Sequence, residues 1–349
     1  MSELGEVRRD GGLAELGWRA DDVGSWTADE LPGRVTINHG QGAEVTWLDD
    51  GSLRSGLLRL SGELTETPVA GDWVAVSRDG VLTRVLPRKT TLWRPDPMGN
   101  HSQVLASNID LIMIVLACDL TVNVKALERF SVMASDSGAD QLVVLSKADA
   151  ATGIGAVVAR AQAAVPSVTV LVTSAFAGTG MEELRGRLTS GVTATMFGAS
   201  GAGKTSLLNA LEGHAEPVRS ISSRGEGRHT TSTRRLYPLS SGGVLIDLPG
   251  IRSLDLIAST DAVEDTFADI AALAAACRFA NCTHTVEPGC AVQAAAASGE
   301  IDPDRLDRMR TIRKEIDYQE RRNSPAKEAE NRAVWKQLTK EAKRRRQGR

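Results

Sequence analysis

The segment GASGAGKTS, Gly198 to Ser206, constrains this chain more than any other stretch. It satisfies G-x-x-x-x-G-K-[ST] at every fixed position, follows the apolar run ATMF, and precedes TSLLNAL, whose apolar spacing is helical. A strand, a glycine-rich turn and a helix in that order belong to a mostly parallel sheet covered on both faces. Glycines let backbone N–H groups close around phosphate oxygens, and the helix N-terminus adds a favourable dipole. Gly198, Ala199, Ser200, Gly201, Ala202, Gly203, Lys204, Thr205 and Ser206 are therefore the expected phosphate site. Lys204 would reach the β and γ phosphates, and the Thr205 hydroxyl would ligate Mg²⁺.

Two further stretches fit the same chemistry. VLIDLPG is an apolar strand ending in Asp247, a carboxylate suited to the Mg²⁺ shell, with Gly250 just beyond it to sense a γ-phosphate through its N–H. Between loop and strand lies SSRGEGRHTTSTRR, Ser222 to Arg235, whose polar, Gly-containing character predicts a mobile loop. A Thr from such a loop binds Mg²⁺ only while the γ-phosphate is present. Thr231 is the first choice, with Thr230 next.

The base-reading residues come earlier in the chain. In VVLSKADA, Val143 to Ala150, Asp149 can accept hydrogen bonds from guanine N1–H and N2–H₂, which adenine does not offer, and the Lys147 stem can pack along the base plane. A second strand end, VTSAFAGTGMEEL, places Ser174 and Ala175 to aim backbone N–H groups at the guanine carbonyl. The order is base, base, phosphate, switch, metal. It resembles a circularly permuted GTPase, in which the strands that normally end the domain come first.

Around this domain the patterning changes twice. Residues 1–33 are Gly-rich and acidic with no sustained period and read as a flexible, partly ordered leader. The runs RVTINH, AEVTWL, SGLLRL, DWVAVS and VLTRVL then give five short strands, which suit a small barrel of the oligonucleotide-binding type over residues 34–90. After the linker PRKTTLWRPDPMGNH, buried strands alternate with helices expected at 124–136, 153–164, 180–189 and 204–212, giving a permuted nucleotide domain over 100–258. A helical domain follows over 262–322, then a tail over 323–349.

That helical domain contains CRFANCTHTVEPGC. Cys277, Cys282, His284 and Cys290 supply three thiolates and an imidazole, a closed tetrahedral zinc set and thus a structural one. Disulfides are the competing use, disfavoured by clustering and by the cytoplasmic address expected below. Cys118, inside an apolar strand, reads as a packing residue.

From Arg305 onward there are 16 Lys or Arg against 7 Asp or Glu, a net of +9, while the chain as a whole carries −3. A cationic end on an otherwise acidic chain suits a phosphate-rich partner, or else a solvated helix. The longest apolar run, LIMIVLAC, is far short of the ~18 residues that span a membrane, and MSELGEVRRDGG lacks the apolar core of a secretion signal. A cytoplasmic monomer without a membrane partner is the expectation.

Together these motifs resemble the ribosome small-subunit-dependent GTPase A family, YjeQ type, over residues 34–320. The most specific parts are GASGAGKTSLLNAL, GRHTTST, DLPGI and CxxxxCxHxxEPGCAV. The resemblance implies a GTP hydrolase acting late in assembly of the small ribosomal subunit, with Mg²⁺, one structural zinc, and ribosomal RNA as partner. It also points to His229 as the group that helps the attacking water, because Ile251 stands where many small GTPases place a Gln. Two positions depart from the family pattern. Ser232 replaces a Thr, and Ser146 replaces the Asn of N-K-x-D. Ser146 is expected to be too short to copy the amide's contacts to the base and the neighbouring loop, which predicts weaker nucleotide binding. The alternative function is an RNA-binding assembly factor whose nucleotide site is only structural or regulatory. An ATP-using kinase or transport ATPase leaves Asp149 and Ser174–Ala175 unexplained.

Overall fold

The structure is a computed structural model that describes residues 10–19, 26–27, 29–95, 102–118, 122–212, 234–248 and 258–323. It divides into two compact units, residues 1–93 with 104–254, and residues 94–103 with 255–349.

The first unit opens on a short helix, α1 (Asp10–Leu13), continued by a 3₁₀ turn over Ala14–Leu16. Five strands follow: β1 (Glu30–Asn38), β2 (Gly42–Asp49), β3 (Ser52–Leu60), β4 (Trp73–Ser77) and β5 (Val81–Val85). They close into a barrel in the order β1-β2-β3-β5-β4. Alternation fills it: Val35, Val45, Val74 and Val76 turn inward with Leu58 and Leu82. The closed form leaves the barrel no open edge for another strand.

The leader is more structured than its composition predicts. Leu13 and Leu16 pack with Leu48, Trp73 and Leu86, and Trp18 meets Trp73 edge-on at 4.7 Å between ring centroids. β1 already begins at Glu30, inside the expected leader. The anchors are few and large and follow no helix or strand period, so periodicity does not reveal them.

The linker is also structured. Its residues contribute β6 (Thr91–Pro95), paired with β7 (Ser102–Ser107). Beyond β7 come β8 (Leu111–Ala117), α2 (Val124–Ser137), β9 (Asp140–Ser146), α3 (Ile154–Ala164), β10 (Thr169–Val172), α4 (Met181–Gly186), β11 (Thr193–Phe197), α5 (Lys204–Glu212), β12 (Arg235–Pro238) and β13 (Val244–Asp247). The sheet order is β10-β9-β8-β11-β13-β12, parallel except that β12 runs antiparallel to β13. Arg235, placed by sequence at the end of the switch loop, therefore starts an edge strand instead. One face of the sheet packs Met113, Val115, Leu142 and Val144 against Met181 and Leu184 of α4 and Leu207 and Leu211 of α5. On the other face Phe130 of α2 meets Phe197 at 5.6 Å.

The barrel meets β7 and the linker through buried polar groups. Asp72, fully buried, accepts Arg88 Nε at 2.7 Å, Arg88 Nη2 at 2.8 Å and Ser107 Oγ at 2.5 Å. Burial works against the charge of Arg88, yet the Asp72 carboxylate holds its pKa above the ordinary value.

The second unit contains α6 (Thr260–Thr266), α7 (Ala268–Ala274), α8 (Ala291–Ser298) and α9 (Pro303–Asn323). Leu306, Met309, Ile312 and Ile316 of α9 are buried at helical spacing, so its basic residues decorate a helix with a core-facing stripe. Among the described residues, no helix is long and apolar enough to cross a membrane.

Candidate functional site

The phosphate loop leaves β11 at Phe197 and enters α5 at Lys204. Gly198 is required where it stands: its φ is 150° and a Cβ there would lie 2.4 Å from the Val115 carbonyl oxygen. Lys204 Nζ donates to Gly198 O at 2.7 Å and Ala199 O at 2.9 Å, so the ammonium lies across its own loop. Thr205 and Ser206 are exposed in the first turn of α5. Asp247 ends β13, the parallel neighbour of β11 through Thr195↔Ile246. Burial raises its pKa, and the charge of Lys204 partly offsets that rise. A hydroxyl in the first turn of α5 and a carboxylate at the end of β13 are hard oxygen donors of the kind that Mg²⁺ takes.

The base-side residues lie at the same end of the same sheet. β9 ends at Ser146, and Lys147 then adopts a left-handed conformation with φ 58°. A non-glycine in that region marks a turn held by its surroundings. Here Ala148 N donates to Thr173 O at 3.1 Å, tying the turn to the end of β10. Ser174, fully buried, donates from Oγ to Asp149 Oδ1 at 2.5 Å and accepts from Ala177 N at 2.9 Å. The Asp149 carboxylate is thereby oriented by the second strand end, beside the half-buried Ala175.

The expected loss of contact at Ser146 does not occur on the loop side. Ser146 Oγ donates to Ala202 O of the phosphate loop at 2.5 Å. The shorter side chain reaches because the loop approaches closely, with Gly203 leaving only 3.1 Å between a would-be Cβ and Ser146 Oγ. His229, Thr230, Thr231, Ser232, Gly250 and Ile251 lie outside the described residues.

In the second unit the structure brings Cys277, Cys282, His284 and Cys290 together, their ligand atoms all within 4.8 Å of one another. Cys277 Sγ and Cys290 Sγ are 3.8 Å apart, and each lies near His284 Nδ1, at 3.6 Å and 3.5 Å. Two thiolates on a tetrahedral zinc, with Zn–S of about 2.3 Å, are about 3.8 Å apart, so Cys277 and Cys290 have the spacing of two ligands of one zinc ion. Burial opposes ionisation of Cys277, yet N–H groups of Val292 and Ala291 at the start of α8 hold its thiol below the ordinary value. Burial pushes Cys282 up to about 11. His284 is lowered by burial and by Arg313, which favours the neutral imidazole that a metal needs.

Sequence reasoning missed the groups that shape this cluster. His284 has φ 59°, and its carbonyl accepts from Gln293 Nε2 at 2.6 Å and from Arg310. Glu287 accepts the N–H groups of Thr283 and Thr285, both at 2.9 Å, and of Val286 at 3.1 Å. The Thr283 side chain and these amides hold the Glu287 carboxyl well below the usual carboxylate range. An acidic residue closing a Thr-rich turn was the available signal.

The family profile described as RsgA GTPase matches residues 85–257. The "Small ribosomal subunit biogenesis GTPase RsgA" of Streptomyces coelicolor is 39% identical over 320 residues, covering 87% of this chain and 86% of that protein. The chain belongs to the RsgA GTPase family. A second relative, "Small ribosomal subunit biogenesis GTPase RsgA 2" of Lactiplantibacillus plantarum, is 38% identical over 72% of this RsgA-family chain and 73% of its own. Among solved structures, YjeQ from Thermotoga maritima superposes with TM-score 0.62 at 26% identity, covering 82% of this chain and 98% of that one. YloQ, described as a circularly permuted GTPase, shares the fold with TM-score 0.60 at 22% identity, covering 85% and 99%. The permuted order read from the motifs is thus the family's fold.

Proposed function

We propose that this RsgA-family chain hydrolyses GTP in late maturation of the small ribosomal subunit, coupling its nucleotide state to docking on ribosomal RNA and release from it. The observation that carries the reading is the convergence of Asp149, oriented by Ser174, with the Lys204 loop at the same end of one parallel sheet. The relatives are named for small-subunit biogenesis, which supplies the partner.

In this reading Asp149, Lys147, Ser174, Ala175 and Ser146 form the guanine side, and residues 198–206 with Gly250 form the phosphate side. Lys204 and the loop amides stabilise charge as water attacks the γ-phosphate. Mg²⁺ held by Thr205, Asp247 and Thr231 would neutralise phosphate oxygens when bound. His229 accepts a hydrogen bond from the attacking water. Zinc on Cys277, Cys282, His284 and Cys290 serves as a structural tie. The barrel of 34–90 precedes the GTPase domain of 100–258 in sequence, the helical domain of 262–322 and the basic end through 349 follow it, and all three meet RNA. The protein works as a cytoplasmic monomer.

The test is steady-state GTP hydrolysis with and without small subunits, and with large subunits as control. Strong stimulation by small subunits alone is expected, and His229→Ala should remove most of it. Equal stimulation by both subunits, or none, would leave a nucleotide-binding protein with a different partner, and no hydrolysis at all would favour the RNA-binding factor whose nucleotide site is only structural or regulatory.

A further inference from the structure

Ser146 stands where three strand ends meet. It is 2% exposed, its carbonyl accepts from Cys118 N at 2.8 Å, and the next residue is the left-handed Lys147. Its hydroxyl is 3.3 Å from Leu116 O but only 2.5 Å from Ala202 O, and that shorter bond spans 56 residues of sequence.

Ala202 is the one residue with a Cβ between Gly201 and Gly203, whose φ values are 79° and 90°. The peptide linking residues 202 and 203 turns about the Ala202 Cα–C and Gly203 N–Cα bonds, and on the Gly203 side no Cβ restricts it. The peptide is planar and trans, so its carbonyl and its N–H point in opposite directions. Fixing Ala202 O on Ser146 therefore fixes the direction of the Gly203 N–H. With the carbonyl drawn toward the base turn, that N–H faces the other way, across the loop that Lys204 Nζ spans between Gly198 O and Ala199 O.

We propose that Ser146 is a positioning residue for the phosphate site, a hydroxyl latch by which the base-reading turn holds the Ala202–Gly203 peptide with its N–H turned toward phosphate. The latch ties the two halves of the nucleotide site together. A base-side residue then governs affinity for the phosphate moiety itself, including ligands that carry no base. Space supports the assignment: Gly203 comes so close that a Cβ there would press on Ser146 Oγ at 3.1 Å, so the hydroxyl and the glycine fit each other.

The inference rests on the reading of residues 198–206 as a phosphate site, and the experiment separates the two. Isothermal titration of the full chain with GDP and with tripolyphosphate is run on the wild type, Ser146→Ala, Ser146→Cys, Asp149→Asn and Lys204→Ala. Loss of one hydrogen bond predicts that Ser146→Ala weakens both ligands by about five- to tenfold. Ser146→Cys keeps nearly the same shape with a weak donor and should follow Ala. Asp149→Asn should weaken GDP and leave tripolyphosphate unchanged. A serine that only supported the fold would lower the melting temperature without this pattern across the two ligands. The latch is overturned if Ser146→Ala binds tripolyphosphate as the wild type does, whether or not GDP weakens. If Lys204→Ala also binds tripolyphosphate normally, the phosphate-site reading has failed with it.

Discussion

Arg34 of the barrel donates from Nη1 to Thr193 Oγ1 of the GTPase sheet at 2.8 Å, across 159 residues of sequence. The guanidinium is fully buried, bonds also to Leu16 O, to Gly71 O at 3.2 Å and to Asn108 O at 3.1 Å, and lies 4.8 Å from the Trp73 ring centroid. Leader, barrel, the turn between β7 and β8, and the nucleotide sheet thus share one side chain. Thr193 begins β11, whose other end carries the phosphate loop.

Replacing Arg34 by Met keeps the stem and deletes the donors. Several buried carbonyls lose their partner at once, each costing about 1–3 kcal/mol. The expected loss is about 3 kcal/mol or more, read as a lower urea midpoint by tryptophan fluorescence. Trp18, Trp26 and Trp73 surround the joint and report it directly. An unchanged midpoint would mean that the joint is not what holds barrel and sheet together.

Gly198→Ala should damage the phosphate loop more than its one added carbon suggests. The new Cβ would sit 2.4 Å from Val115 O, a backbone atom of the central strand β8 that has no room to retreat. The loop must shift, and nucleotide affinity should fall at least tenfold while the barrel remains folded. Titration with GDP, alongside circular dichroism, checks both halves of the expectation.

The parts legible in sequence were those whose chemistry fixes residue type and spacing. The loop at 198–206, the Asp149 turn and the Cys–His cluster are local patterns, and helices expected at 124–136 and 204–212 appear at Val124–Ser137 and Lys204–Glu212. What stayed hidden depends on a partner distant in the chain. RLYP forms β12 only because β13 lies beside it. The leader gains order from Trp73, and Ser146 finds Ala202 only once the sheet has assembled. Period and propensity carry no record of such contacts.

Glu30 gives the barrel an acid-dependent contribution. Its carboxylate accepts Arg84 Nη2 at 2.7 Å and Arg84 Nε at 3.3 Å, and these bonds hold its pKa below the ordinary 4.5. A depressed carboxyl stabilises above its unfolded pKa and loses that contribution as pH falls through its folded value. Arg84 is 41% exposed, so the pair is screened and worth about 1 kcal/mol. Glu30→Gln should therefore lower the urea midpoint at pH 7, and the gap to the wild type should narrow steadily as pH falls below the ordinary 4.5. A gap that does not change with pH would assign the effect to shape and not to charge.

Cys290 has two functions in the second unit that one substitution can separate. Its Sγ belongs to the ligand cluster and also caps α8, accepting from Gln293 N at 3.4 Å. Serine is among the best N-caps, so Cys290→Ser preserves the helix start. It removes a soft thiolate, however, and three remaining ligands bind zinc far less tightly. Purified wild type should contain one zinc per chain by elemental analysis, and Cys290→Ser much less. Because metal affinity in such sites is folding free energy, the variant should also lose the calorimetric transition of the second unit, as the wild type should in excess chelator. The transition of the barrel and nucleotide sheet should stay in place under both treatments. If Cys290→Ser melts like the wild type in both transitions, the cluster is not what stabilises the α6–α9 domain, and the cap alone accounts for the position.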